Sequence, residues 1–312
     1  MLAAAALISA AGCSFLRDPT PVEAMGEQPS VHALLMTGSD TVKVLLQRVG
    51  AAPRGQEPVQ ARPILGGDVS LVVGGETVKL ASSPAGFSGC ATQSFGSQLP
   101  ADANGCYAAV LPGGVKPGAE YALRIRLPGG ETIEGRTTAL AALRVESPTA
   151  GARIHVKART FNGGSDDFTR LPIRVRGAER AGGVSIDFIP LAVYSRGQRV
   201  TDFQCSVEYP RSAVIRPDAQ GAITLPIAGV QCVPRTQPDP QFRTDSVRAT
   251  LRAVAFDSAY LRYVEAQEQN SVSAREVTVG VTGAIGLFAA AARAEHEVVL
   301  IPCQPSQPCP AP

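Results

Sequence analysis

The stretch that decides the fold is Pro117-Gly-Ala-Glu-Tyr-Ala-Leu-Arg-Ile-Arg-Leu127. Tyr121, Leu123, Ile125 and Leu127 fall on one side of an extended chain, and Ala122, Arg124 and Arg126 on the other. Successive side chains of a strand point to opposite faces, so an apolar face alternating with a cationic one at period two predicts a half-buried strand. Pro128-Gly-Gly130 turns the chain, and Glu131 to Thr138 (ETIEGRTT) is expected to pair back on it.

Upstream the same grammar repeats. Val69 to Leu80 (VSLVVGGETVKL) predicts a hairpin, because Gly74-Gly75 supplies the positive φ values that a two-residue connection needs. His32 to Val49 holds two β-rich runs broken at Gly38-Ser39-Asp40, and Gly105 to Leu111 adds another. Residues 31–142 are therefore read as an immunoglobulin-like β-sandwich.

Composition agrees. The 312 residues include 31 glycines and 25 prolines, only 18% are charged, and tryptophan is absent, which suits short strands with frequent turns better than a helical bundle. A net charge of +2 with interspersed signs argues against nucleic acid as a partner, which would call for a basic stripe.

Past Pro148-Thr-Ala-Gly151, strands are expected at Ile154–Arg159, Ile173–Val175, Val184–Val193, Val207–Tyr209, Ile223–Ile227 and Val247–Phe256. One short helix, about 257–269, follows. Asp257 or Ser258 is placed to cap it, and Phe256, Tyr260, Tyr263, Val264 and Gln267 form a stripe read as core packing. The fold expectation is thus all-β, two tandem immunoglobulin-like sandwich domains at 31–142 and 143–301 with one short helix, and a Pro-rich tail at 302–312.

The amino terminus carries an address. Residues 1–13 are an apolar run ending on Ala10, Ala11, Gly12 and Cys13, the outline of a bacterial lipoprotein signal in which the Cys13 thiol takes the lipid. The run is too short to span a bilayer. Residues 14–30, with three prolines and several charges, read as a flexible tether. The expected localisation is extracytoplasmic, lipid-anchored to the bacterial cell envelope. Once Cys13 is set aside, the seven cysteines leave six: Cys90 and Cys106, Cys205 and Cys232, Cys303 and Cys309, three sequence-local pairs. Disulfides persist in oxidising compartments, although other connectivities stay open.

Val279-Gly-Val-Thr-Gly-Ala-Ile-Gly-Leu-Phe-Ala-Ala290, followed by Glu297-Val-Val-Leu300, resembles the ending of the DUF4249 family of bacterial envelope lipoproteins, whose glycine-rich GGxGxFG segment precedes the last strand. Gly283, Gly286 and Phe288 match that pattern, and Ala290 stands where a glycine is common. The lipidated cysteine, the Ala-Leu-Leu-Met strand, Gly105-Cys-Tyr107, Pro117-Gly-Ala-Glu-Tyr121 and Phe256-Asp-Ser-Ala-Tyr260 occur in the same order. The resemblance implies an outer-membrane-associated lipoprotein serving beside a TonB-dependent transporter, and it brings no catalytic residues.

Other constellations point to little chemistry. The glycine run is read as a packing element with Phe288 as its plug, since a phosphate loop would need a following helix N-terminus. Asp166 and Asp167, beside Gly163-Gly164, offer too few oxygens for Ca²⁺ and read as an exposed acidic turn. Ser195 lacks a nucleophile elbow, and His32, His155 and His296 are scattered. The expected function is non-enzymatic, without cofactor or metal: a binding or accessory subunit, with a structural or adhesive module and an extracytoplasmic hydrolase as alternatives.

Overall fold

The computed structural model describes residues 27–50, 62–82, 90, 105–158, 168–209, 214–235, 242–269, 278–303 and 309–310. The chain is all-β with one short helix. Its first half contributes β1 (Gln28–Met36), β2 (Thr41–Val49), β3 (Arg62–Pro63), β4 (Asp68–Val73), β5 (Glu76–Ser82), β6 (Cys106–Val110), β7 (Glu120–Arg126) and β8 (Thr132–Thr138). The second contributes β9 (Arg144–Ser147), β10 (Arg153–Lys157), β11 (Thr169–Arg176), β12 (Gly183–Ser195), β13 (Gln198–Val200), β14 (Phe203–Glu208), β15 (Val214–Ile215), β16 (Ala222–Ile227), β17 (Gly229–Pro234) and β18 (Ser246–Phe256). The chain ends with α1 (Ser258–Gln269), β19 (Thr278–Val279), β20 (Val281–Thr282) and the long β21 (Ile285–Cys303).

The deciding strand behaves as its pattern requires. On β7, Tyr121, Leu123 and Ile125 are buried while Arg124 and Arg126 are exposed. β4 and β5 join through Gly74 and Gly75 at φ 57° and 86°, the two positive values of a type I′ turn. β5 then links two arms of one sheet, pairing with β4 along most of its length and with β6 through Ala81 and Ser82. The inward faces of the arms meet in a shared core, where Val31, Leu35, Val44 and Leu46 pack with Leu71, Tyr121, Leu123 and Ile133. Its two buried phenols are satisfied: Tyr107 Oη donates to the Ile64 carbonyl (3.0 Å), and Tyr121 Oη accepts the Lys116 amide (2.8 Å).

A second core lies between β12–β18–β21 and the separate sheet β16–β11–β9. Val247, Ala249, Leu251, Ala253 and Ala255 of β18 meet Leu171, Ile173 and Val175 of β11 there. The register of β12 against β18 slips between Pro190 and Ala192, leaving Leu191 37% exposed. Proline has no amide to donate to the ladder, and a bulge accommodates that loss.

β21 binds the halves together. It runs parallel to β1 over 285–291, antiparallel to β18 over 291–300 and parallel to β10 over 299–303. The sequence places a last strand only near Glu297–Leu300, whereas one strand of 19 residues begins at Ile285. Alanine favours helix over strand, and Ala289 to Ala292 are buried on both faces, so period two is absent there. Val281 and Phe288, beyond residue 143 in sequence, belong to the first core. α1 covers the outer face of this strand, packing Tyr260 and Tyr263 with Phe256, Leu287, Ala289 and Ala291.

Candidate functional site

The glycine run forms a seam where β20 and β21 lie against the first half. Gly283 and Gly286 have φ of 81° and 116°, values that L side chains rarely adopt. A Cβ on Gly283 would run into the Thr132 carbonyl oxygen, and one on Gly286 into that of Val31. On the facing strand, a Cβ on Gly135 would stand 2.7 Å from the Gly280 carbonyl oxygen and 2.9 Å from the Phe288 ring. Absent side chains on both strands thus let Phe288, fully buried, fill the first core. The run leads into a strand, so no helix N-terminus stands there to receive a phosphate.

Asp257 ties this seam to the helix. Its Oδ1 accepts the Tyr260 amide (2.8 Å), the N-cap bond that a carboxylate makes to the first turn. Its Oδ2 accepts both the Thr137 hydroxyl (2.9 Å) and the Ala290 amide (2.8 Å), so one carboxylate joins α1, β8 and β21. The sequence names Asp257 as a cap but carries no signal for the other two bonds, whose partners are distant in sequence.

Beside the seam opens a shallow cleft of about 420 Å³, lined by Arg124, Glu134, Arg136, Gly280 and Thr282. Arg136 pairs with Glu120 (3.3 Å) at the solvent boundary. Its lining carries exposed charges of both signs, Arg124 and Arg136 beside Glu134.

All six later cysteines are joined: Cys90 to Cys106, Cys205 to Cys232 and Cys303 to Cys309, with Cα separations of 5.4, 4.1 and 5.4 Å. The second bond links directly opposite residues of the β14–β17 ribbon. Cys13, Asp166 and Asp167 lie outside the described residues. Among the described residues no three His, Cys, Asp or Glu side chains are grouped to hold a metal ion.

The histidines stand on three strands. His32 packs edge-on to Tyr263 (5.8 Å between centroids) with Nε2 3.1 Å from the Ser30 hydroxyl, and burial lowers its pKa to about 4. His296 is also lowered by burial, against a raising hydrogen bond to the Pro148 backbone, and His155 faces Ile301 across β10 and β21. Ser195 ends β12 opposite Gln198 at a hairpin, with no histidine beside it in the pairing. The sequence also passes over an exposed row on β11, Arg170, Arg174 and Arg176, whose signal is spacing by two and four residues.

No family model matches the chain, and no curated protein matches it. Among solved structures it is similar to the adhesin InvE of Yersinia pseudotuberculosis, at 18% identity and a TM-score of 0.21. That alignment covers 73% of this chain and 55% of the adhesin.

Proposed function

We propose that this chain is an extracytoplasmic all-β module that acts by binding, held at a membrane surface by a lipid on Cys13 and performing no chemistry of its own. The observation that carries the reading is covalent. Every cysteine after Cys13 in the sequence is in a disulfide, in both halves and the tail, and such bonds persist where the environment is oxidising. The apolar run ending at Cys13, the Pro-rich stretch after it and the resemblance to DUF4249 lipoproteins support the same address.

The test uses the full chain in a bacterial host. Wild type should take up a clickable fatty acid and fractionate with envelope membranes, and Cys13→Ser should remain unprocessed and unlabelled. Non-reducing peptide mapping should find the three local cross-links. Equal labelling of both proteins, or free thiols throughout, would remove the anchor or the compartment. A transporter barrel co-purifying in stoichiometric amount from detergent would assign the accessory role that the DUF4249 resemblance implies.

A further inference from the structure

The outer face of the small sheet carries a row of exposed arginines. Alternation along β11 sends Leu171, Ile173 and Val175 into the second core and leaves Arg170, Arg174 and Arg176 exposed. Across the ladder on β16, Arg170 faces Pro226, Arg174 faces Ala222, and Thr224 lies between them opposite Pro172. No carboxylate stands opposite either guanidinium. On the other flank Arg176 lies directly across from Arg144 of β9, which is also exposed. Like charges directly opposite on a sheet repel, and here Glu146 beside Arg176 offsets only one of the two.

Among the described residues, the nearby acids gather at one end of the row. Glu146 lies 3.7 Å from Arg176, Glu179 accepts the Gly177 amide, and Asp218 is engaged with the Gln220 and Ala222 amides. Among the described residues, only Arg176 of the four arginines has a carboxylate at ion-pair distance. Alternate residues of a strand recur about every 7 Å, so Arg174 and Arg176 stand one such step apart and Arg170 two steps further. Each planar guanidinium presents a fork of donors that fits a carboxylate with two parallel bonds.

We propose that the outer face of β9–β11–β16 binds a linear acidic polysaccharide, whose carboxylates pair with Arg170, Arg174, Arg176 and Arg144. The choice of a glycan over nucleic acid rests on the extracytoplasmic reading above. A membrane surface fits less well. The charges follow a line along one strand, and the residues between them are Pro172, Thr224, Ala222 and Pro226, with no large apolar or aromatic side chain to enter an acyl boundary.

The experiment measures binding of the full, disulfide-intact chain to fluorescent polygalacturonate, with neutral dextran and phosphatidylglycerol vesicles as parallel arms. Polygalacturonate should bind and dextran should not. Arg170→Glu with Arg174→Glu should weaken binding about tenfold or more and reduce the steepness of its salt dependence, because two fewer charges are neutralised. Arg170→Gln with Arg174→Gln should weaken it less, and both pairs should melt as wild type does. A matched change elsewhere, Lys79→Glu with Arg126→Glu on the first half's outer face, should leave binding intact. Absence of polygalacturonate binding, an equal loss in the control pair, or vesicle binding lost with the same arginines in place of glycan binding would each overturn the proposal. A protein found inside the cytoplasm that still binds through these arginines would instead refute the address and leave the face standing.

Discussion

At the residue scale, Asp257 concentrates more of the architecture than any other polar side chain described. Asp257→Ala would remove an N-cap, costing about 1 kcal/mol. It would also leave the Thr137 hydroxyl and the Ala290 amide without their acceptor, at about 1 to 3 kcal/mol each where water does not replace it. The expected loss is about 3 to 7 kcal/mol in urea unfolding where both groups stay dry, and Asp257→Asn should fall between wild type and Asp257→Ala; a variant as stable as wild type would show that the three bonds are not energetically linked to folding. His32 gives a pH dependence whose sign follows from its lowered pKa. The folded state holds the imidazole neutral down to about 4, whereas the unfolded chain protonates near 6.5. Above the unfolded value neither state binds the proton and stability is unaffected. As pH falls from 6.5 toward 4 the unfolded state gains it first, so stability is lost progressively, by about 3 kcal/mol at most. Denaturant titrations of wild type and His32→Gln at pH 7 and pH 4.5 should show a smaller pH effect in the variant. Parallel slopes would mean that the ring already meets water freely.

At the element scale, strands that bury one face declare themselves and those that bury both do not. β7 and β8 are legible because Arg124, Arg126, Glu134 and Arg136 mark a wet face. β21 is hidden because Leu287 packs under α1, Phe288 in the first core, and the alanines between contribute helix propensity without period. The same argument explains why the seam glycines are recognisable while their partners, Val31 and Thr132, are not: positive φ has a residue signature, and a carbonyl approaching from another strand has none. The β14–β17 ribbon poses a different question. Two strands alone are marginal in water, and this pair forms its own sheet, with Cys205 bonded straight across to Cys232. In the chain-entropy picture a cross-link over 27 residues contributes about 3 to 4 kcal/mol, and the Cys303–Cys309 link over 6 residues about 2. Cys205→Ser with Cys232→Ser should therefore lower the urea midpoint more than Cys303→Ser with Cys309→Ser. The reverse order would mean that strain or residual unfolded structure outweighs loop length.

At the scale of the whole molecule, the two cores share a strand, and this bears on how they unfold. Two domains joined only by a linker near residue 143 would melt independently. Here β21 supplies Phe288 to the first core and Val298 and Leu300 to the second, and its backbone pairs with β1 at one end and β18 at the other. Losing β21 from the first half exposes a flank of the second, so the halves should open as one cooperative unit. Phe288→Ala tests this from one side, because it creates a cavity in the first core alone, at about 3 to 5 kcal/mol. Gly286→Val tests it from the seam, forcing a side chain at φ 116° into the Val31 carbonyl, a strain of at least about 1 to 3 kcal/mol. In hydrogen exchange, both variants should lower protection of β18 in the second core by as much as that of β2 in the first, and calorimetry should keep a single transition at lower temperature. If protection falls in β2 while β18 keeps its wild-type value, the halves are energetically separate despite the shared strand, and the tandem-domain expectation describes the molecule better than its continuous sheet does.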